Sequence, residues 1–136
     1  GLVHQSNGRA EPLSRSWNRL FALFVFDKGN FVTTFRPWIR LHESADDDNN
    51  PDIDDFLGHF ELSGFYKGER SNFGIMLRNN LKSNDNRGAI QLDWSHPISE
   101  RLKWYVQYFN GYGESLLDYN YRSNRIGVGI MLTDWL

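Results

Sequence analysis

Between Phe31 and Leu41 the residues separate into two faces when read in steps of two. Phe31, Thr33, Phe35, Pro37, Ile39 and Leu41 form one, while Thr34, Arg36, Arg40 and His42 lie on the other. A period of two with unlike faces predicts a β-strand. The same step sorts much of the chain. Phe56, Gly58, Phe60, Leu62, Gly64 and Tyr66 oppose His59, Glu61 and Ser63. Ile90, Leu92 and Trp94 oppose Gln91, Asp93 and Ser95, and Leu102, Trp104, Val106 and Tyr108 oppose Lys103, Tyr105 and Gln107. The last strand sets Ile126, Val128, Ile130 and Leu132 against Arg125, Gly127 and Gly129. From Phe73 to Leu81 the alternation weakens, because Asn79 interrupts the apolar face. The pattern predicts a stub before Ser6 and then about seven strands.

The connections alternate in length. Asp27–Asn30, Lys67–Arg70 and Pro97–Glu100 are short, whereas Asn7–Leu13, Glu43–Asp54, Lys82–Arg87 and Gly111–Asp118 are longer and polar. A meander in which every second connection is tight is the habit of an antiparallel up-and-down transmembrane β-barrel. Trp38, Trp94, Trp104, Tyr66 and Tyr112 near strand ends suit interfacial girdles. Alternation does not say which face is outside, so a soluble lipid-binding barrel with its apolar face turned inward fits the same strands.

Composition narrows the field. The 136 residues correspond to a single domain, 1–136, which excludes a multidomain enzyme. Aromatic residues make up 15% of a chain that is only 40% hydrophobic, which suits alternating strands in an all-β fold. The formal net charge of −2 gives no electrostatic reason to expect a nucleic-acid partner. With no cysteine there is no disulfide, thiolate metal site or cysteine nucleophile. The longest apolar run, Leu20–Phe26, is far shorter than the ~20 residues of a membrane-spanning helix. The chain starts at Gly1 with no leader, and is expected to be a mature form or a piece of a longer protein.

Three side chains suggest chemistry. His4 and Ser6 are two apart and share a strand face with Leu2, and Asn7-Gly8 signals a turn directly after them. If the chain returns through a loop ending near Leu13, Asn18 comes within reach of His4 from the neighbouring antiparallel strand. A hydroxyl, an imidazole and a carboxamide then supply a nucleophile, a base, and an acceptor for the second imidazole N–H. A His-x-Ser pair alone is common by chance.

The longer strings are more specific. His4-Gln5-Ser6-Asn7-Gly8-Arg9 followed by Ser14-Arg15-Ser16-Trp17-Asn18-Arg19 closely resembles the signature of the bacterial outer-membrane phospholipase A family. Further matches are Arg36-Pro37-Trp38, Asn50-Pro51-Asp52-Ile53, Tyr108 to Leu116, Asp118-Tyr119-Asn120 and Arg125 to Leu132. The resemblance runs through essentially the whole chain and implies the C-terminal half of a twelve-stranded barrel. It implies Ser6 as nucleophile, His4 as general base and then acid, and Asn18 as the group orienting His4. In the family the triad lies on the lipid-facing wall near the extracellular rim. The oxyanion would be met by the Asn7 backbone N–H, with Gly8 keeping the turn open, and by water on a bound Ca²⁺.

For that calcium the resemblance supplies the Arg9 carbonyl and Ser14 Oγ, with further ligands from a partner subunit. The acidic run Asp46-Asp47-Asp48-Asn49-Asn50 is a candidate contributor to a second site. Gap-free counting back from Pro51 reaches Asn49, and a shift by one reaches Asp48, which is taken as the expected ligand. The implied protein is a calcium-dependent homodimer in a bacterial outer membrane, hydrolysing acyl esters of phospholipids and lysophospholipids. Isolated, this piece is expected to show little activity. The rivals are a non-catalytic barrel, porin-like or structural, and the soluble lipid binder.

The remaining candidates are bland. His42, His59 and His96 lack ligand spacing, and Gly111-Tyr112-Gly113 is followed by no helix that could cradle a phosphate. Arg36, Arg40, Arg78 and Arg125 with Glu61 and Asp93 are expected to form an interior hydrogen-bonded network, since a charge on the lipid face costs about 2–4 kcal/mol at the midplane.

Overall fold

A computed structural model describes residues 1–42, 44 and 48–132; Asp46 and Asp47 lie outside the described residues. The chain forms β1 (Leu2–Ser6), β2 (Ser16–Phe21), β3 (Phe24–Lys28), β4 (Phe31–Leu41), α1 (Ile53–Leu57), β5 (Phe60–Lys67), β6 (Asn72–Asn79), β7 (Gly88–Pro97), β8 (Leu102–Gly111) and β9 (Ser123–Leu132). All pairings are antiparallel, in the order β1-β2-β4-β5-β6-β7-β8-β9, with β3 paired to β4.

β2 and β3 are two halves of one strand. Phe21 faces Trp38 and Phe24 faces Phe35, so the register along β4 is unbroken. Between them Ala22 N–H donates to the Pro37 carbonyl over 3.1 Å, but proline has no N–H to return the bond. The sheet is therefore the expected stub plus seven strands, joined by the expected alternation of tight and long connections.

Register carries one apolar face across the whole sheet. Leu2 pairs with Leu20, Leu20 with Ile39, Phe35 with Leu62, Leu62 with Leu77, and Leu77 with Ile90. These rows are left in the open: Ile39 is 68% exposed and Ile126 70%. Burial instead lies on the opposite face, which contradicts a soluble barrel packed around its apolar side. Phe31, Tyr66, Phe73 and Trp104 stand exposed on the apolar face beside the tight turns, an aromatic belt. Trp38 and Tyr112 do not join it. Trp38 points to the other face and is buried, and Tyr112 packs on Phe56 with ring centroids 5.3 Å apart.

The buried cluster sits at the long-loop end, where Trp17, Trp38, Ile53, Leu57 and Tyr119 meet. Here the expectation of a strand beginning at Phe56 is corrected, because residues 53–57 form the helix α1. Ile53 and Leu57, one turn apart, bury the same helix face. Gly58 (φ 74°) then turns the chain into β5, and its carbonyl accepts Trp38 Nε1–H at 2.8 Å. Tyr119 Oη donates to Asp52 at 2.5 Å. Its burial, with that bond and charge, raises the phenol well above the ordinary tyrosine range.

The charged residues on the opposite face form separate groups rather than one network. Arg36 pairs with Glu61 at 2.8 Å. Arg78 donates to the Gly113 carbonyl at 2.9 Å, and Arg125 meets Glu114 at 3.1 Å. Asp93 accepts from Tyr105, Gln107 and Gln91. Arg40 turns to the loops, as described below.

Candidate active site

β1 and β2 pair so that His4 lies directly opposite Asn18, and Ser6 opposite Ser16. All four point to the apolar face, in line with exposed Leu2 and Leu20. His4 Nδ1 and Asn18 Oδ1 are 2.9 Å apart. A carboxamide oxygen only accepts, so Nδ1 carries the hydrogen, and in the neutral tautomer the lone pair is on Nε2. Ser6 follows His4 by one step along the same face. Both are exposed at the long-loop rim, where an apolar substrate surface can reach them.

The opposite face braces this pair of strands. Gln5 faces Trp17, and its Oε1 accepts from Trp17 Nε1 at 3.2 Å and from Arg19 at 2.7 Å. The Arg19 guanidinium lies 4.0 Å from the Trp17 ring centroid, a cation–π contact. Gln5 and Arg19, absent from the expected site, thus hold β1 on β2. Their signal in the sequence is only that they alternate with His4, Ser6 and Asn18.

The turn after Ser6 is built by the Asn7 side chain. Its Nδ2 donates to the Leu13 carbonyl at 2.7 Å, and its Oδ1 accepts from the N–H groups of Arg9 and Arg15 at 3.2 and 3.1 Å. The Asn7 backbone N–H, an expected oxyanion donor, continues the ladder to the Arg15 carbonyl at 3.0 Å. Gly8 follows at φ 64°, with nothing within 4 Å of where a Cβ would stand. Its N–H makes no hydrogen bond among the described residues. Of the two expected positions, Gly8 is the one with a donor to offer.

Among the expected calcium ligands, Arg9 and Ser14 lie on this same loop. Asp48, expected for a second site, is held by Arg40. Both its carboxylate oxygens accept from Arg40, at 2.8 and 2.9 Å, and Arg40, 6% exposed, also binds Asp54 and the Pro51 carbonyl. A buried guanidinium needs such acceptors, and this one draws Asp48 inward. Asn49 faces the site instead, with Nδ2 3.0 Å from Ser14 Oγ and 3.2 Å from Glu11 Oε1. Two hard oxygens from the loop thus converge on one positively polarised atom, the donor chemistry a calcium ion takes. Asn49 Oδ1 and the buried Asn50 Oδ1 both accept Ser16 N–H, at 3.2 and 3.0 Å, tying this loop to the residue opposite Ser6. His42, His59 and His96 stay apart, and no group of three or more His, Cys, Asp or Glu capable of holding a metal occurs among the described residues.

An antiparallel wall, apolar on its exposed face and carrying a serine, an imidazole and a carboxamide on that face, defines a part of a membrane β-barrel. The model of the family described as Phospholipase A1 matches residues 1–132, and the chain belongs to that family. A protein of Neisseria meningitidis serogroup B is 43% identical over 98% of this chain and 35% of its own length. Phospholipase A1 of Escherichia coli K12 is 38% identical over 98% of the chain and 45% of its own. Among solved structures, outer membrane phospholipase A from Escherichia coli superposes with a TM-score of 0.87 at 38% identity, over 98% of this chain and 50% of that one. The Salmonella typhi outer membrane phospholipase dimer with bound calcium superposes at 0.86 and 35% identity, with the same coverages. This chain thus spans about a third to a half of the length of these relatives.

Proposed function

We propose that this chain carries the catalytic residues of a calcium-dependent phospholipase A of the bacterial outer membrane, with Ser6, His4 and Asn18 as the triad. The observation that carries the reading is the 2.9 Å contact of His4 Nδ1 with Asn18 Oδ1 on the exposed apolar face, with Ser6 one step along it. One of the solved relatives is an active-site mutant of the Escherichia coli enzyme in which an asparagine is replaced by alanine.

Chemically, Ser6 Oγ attacks the acyl carbonyl carbon while His4 Nε2 takes the hydroxyl proton. The Asn18 carboxamide holds the Nδ1–H tautomer through this transfer but, being neutral, gives the imidazolium less support than an aspartate. Gly8 N–H is the backbone donor for the tetrahedral oxyanion. On collapse the glycerol oxygen leaves with the proton from His4. Water, activated by the same imidazole, then releases the fatty acid from Ser6. An ester in the adjoining leaflet reaches the wall without leaving the membrane.

Calcium fits the loop's donors: the Arg9 carbonyl, Ser14 Oγ and the Glu11 carboxylate, the last two of which Asn49 Nδ2 gathers. Bound there, the ion supplies positive charge beside the developing oxyanion. Homodimerisation, with acyl chains held between subunits, completes the proposal and is supported by the Salmonella typhi dimer.

The test is ester hydrolysis by the full-length protein in detergent micelles. Ser6→Ala and His4→Ala are expected to lose on the order of 10³-fold or more in rate, and Asn18→Ala to leave a measurable remainder. Near-normal hydrolysis by folded Ser6→Ala would overturn the assignment.

A further inference from the structure

Two cavities meet on the wall formed by β5 to β8. The larger, about 640 Å³, is an apolar groove on the exposed face, floored by Gly64 and walled by Ile75, Leu77, Leu92 and Tyr108. The smaller, about 360 Å³, opens at the long-loop rim, where β6, β7 and β8 end. It also touches Leu77, and is otherwise lined by Arg78, Arg87, Arg122, Asn79, Asn86 and Asn110 among others, with no carboxylate. Register makes the two continuous. Leu77, Ile90 and Asn110 form one cross-strand row at the rim, and Ile75, Leu92 and Tyr108 form the next row down.

We propose that this composite cavity is a second lipid site, distinct from the triad, that holds one glycerophospholipid of the rim-side leaflet. Its phosphate lies in the arginine–asparagine pocket and an acyl chain in the groove. Charge complementarity selects the head. Arg122 is exposed and spends one N–H on Asn110 Oδ1 at 3.0 Å. That leaves most of its planar fork, with the Asn110 amide, to face an anionic oxygen. Arg87, paired with Asp85 and stacked over the Phe56 ring, backs the pocket, so the selecting charge is that of Arg122. The tail is selected by the groove, whose mouth lies in the exposed apolar belt. A glycerophospholipid joins one anionic phosphate to an apolar chain at the spacing of adjoining rows. This site does not depend on the proposed catalysis, and its test avoids hydrolysis.

The experiment uses full-length protein in detergent and a diether phosphatidylglycerol, which has no ester to cleave. Binding is read by native mass spectrometry and by Trp quenching with bromine-labelled chains. The lipid is expected to bind at least tenfold more tightly than a diether glycerol without phosphate. Arg122→Gln and the groove-filling Leu92→Trp should each weaken binding about tenfold. Ile126→Trp, on the same exposed face but outside the groove, should leave it unchanged. Equal binding with and without phosphate, indifference to both site variants, or preferential occupancy by a lipid A diphosphate would each overturn the proposal. Loss of esterase activity in Ser6→Ala with this binding intact separates it from the catalytic reading.

Discussion

Asn7 shows how much one side chain can organise. Three hydrogen bonds from its carboxamide close the turn after Ser6, and its backbone N–H stays in the ladder with Arg15. The free donor passes to Gly8, whose left-handed backbone an L side chain would resist. Tyr119 does comparable work in the loops, where its hydroxyl ties residues 112–122 to Asp52. Because folding raises this phenol's pKa, its contribution is complete below the unfolded value of about 10 and declines as pH rises above it. Tyr119→Phe should therefore cost about 1–2 kcal/mol near pH 8. The gap from the parent protein should narrow toward pH 11, as measured by denaturant unfolding at each pH. A gap that widens with pH would show the sign to be wrong.

At the scale of elements, α1 and its glycine close the wall. A Cβ on Gly58 would stand 2.2 Å from the Asn79 carbonyl oxygen, and its φ is positive. Gly58→Ala should destabilise the protein by about 2–4 kcal/mol, measured as a lowered unfolding midpoint. A midpoint within experimental error of the parent's would refute the close approach. The strands themselves were legible because two unlike faces repeat with a period of two and the turns punctuate them. Even the β2–β3 interruption at Pro37 leaves the strand count intact. Phe56 and Gly58 misled because their positions happen to extend the alternation of Phe60 and Leu62, while the i, i+4 pair Ile53 and Leu57 answers a core contributed by distant Trp17 and Tyr119. The His4–Asn18 contact was readable because both residues belong to one hairpin. The direction of Asp48 was not, since Arg40 on β4 turns into the loops and claims it. Sequence spacing does not report which of two neighbouring loop residues a buried cation claims.

Across the whole molecule, the sheet keeps its polar groups and its only described buried cluster behind the wall, and leaves Leu20, Ile39, Ile126 and Val128 facing outward. That division makes sense in a bilayer, where backbone groups are satisfied by the ladders and the exposed side chains meet hydrocarbon. On the proposed reading, Ser6 works at the rim of a surface that is already apolar, and calcium would supply charge that a neutral Asn18 lacks. Chelating calcium from the full-length protein should abolish turnover and weaken dimerisation, followed by hydrolysis rate and by sedimentation. Unchanged rates in excess chelator would remove the metal from the mechanism.

The account turns on whether the Ser6 hydroxyl is made nucleophilic by His4 on the outer wall. Labelling the full-length protein with a hexadecyl sulfonyl fluoride and locating the adduct by peptide mass spectrometry tests this directly. Modification of Ser6, with loss of hydrolysis in proportion, and no adduct in His4→Ala is the predicted result. Full inactivation with the label on another residue, or equal labelling of Ser6 without His4, would contradict it.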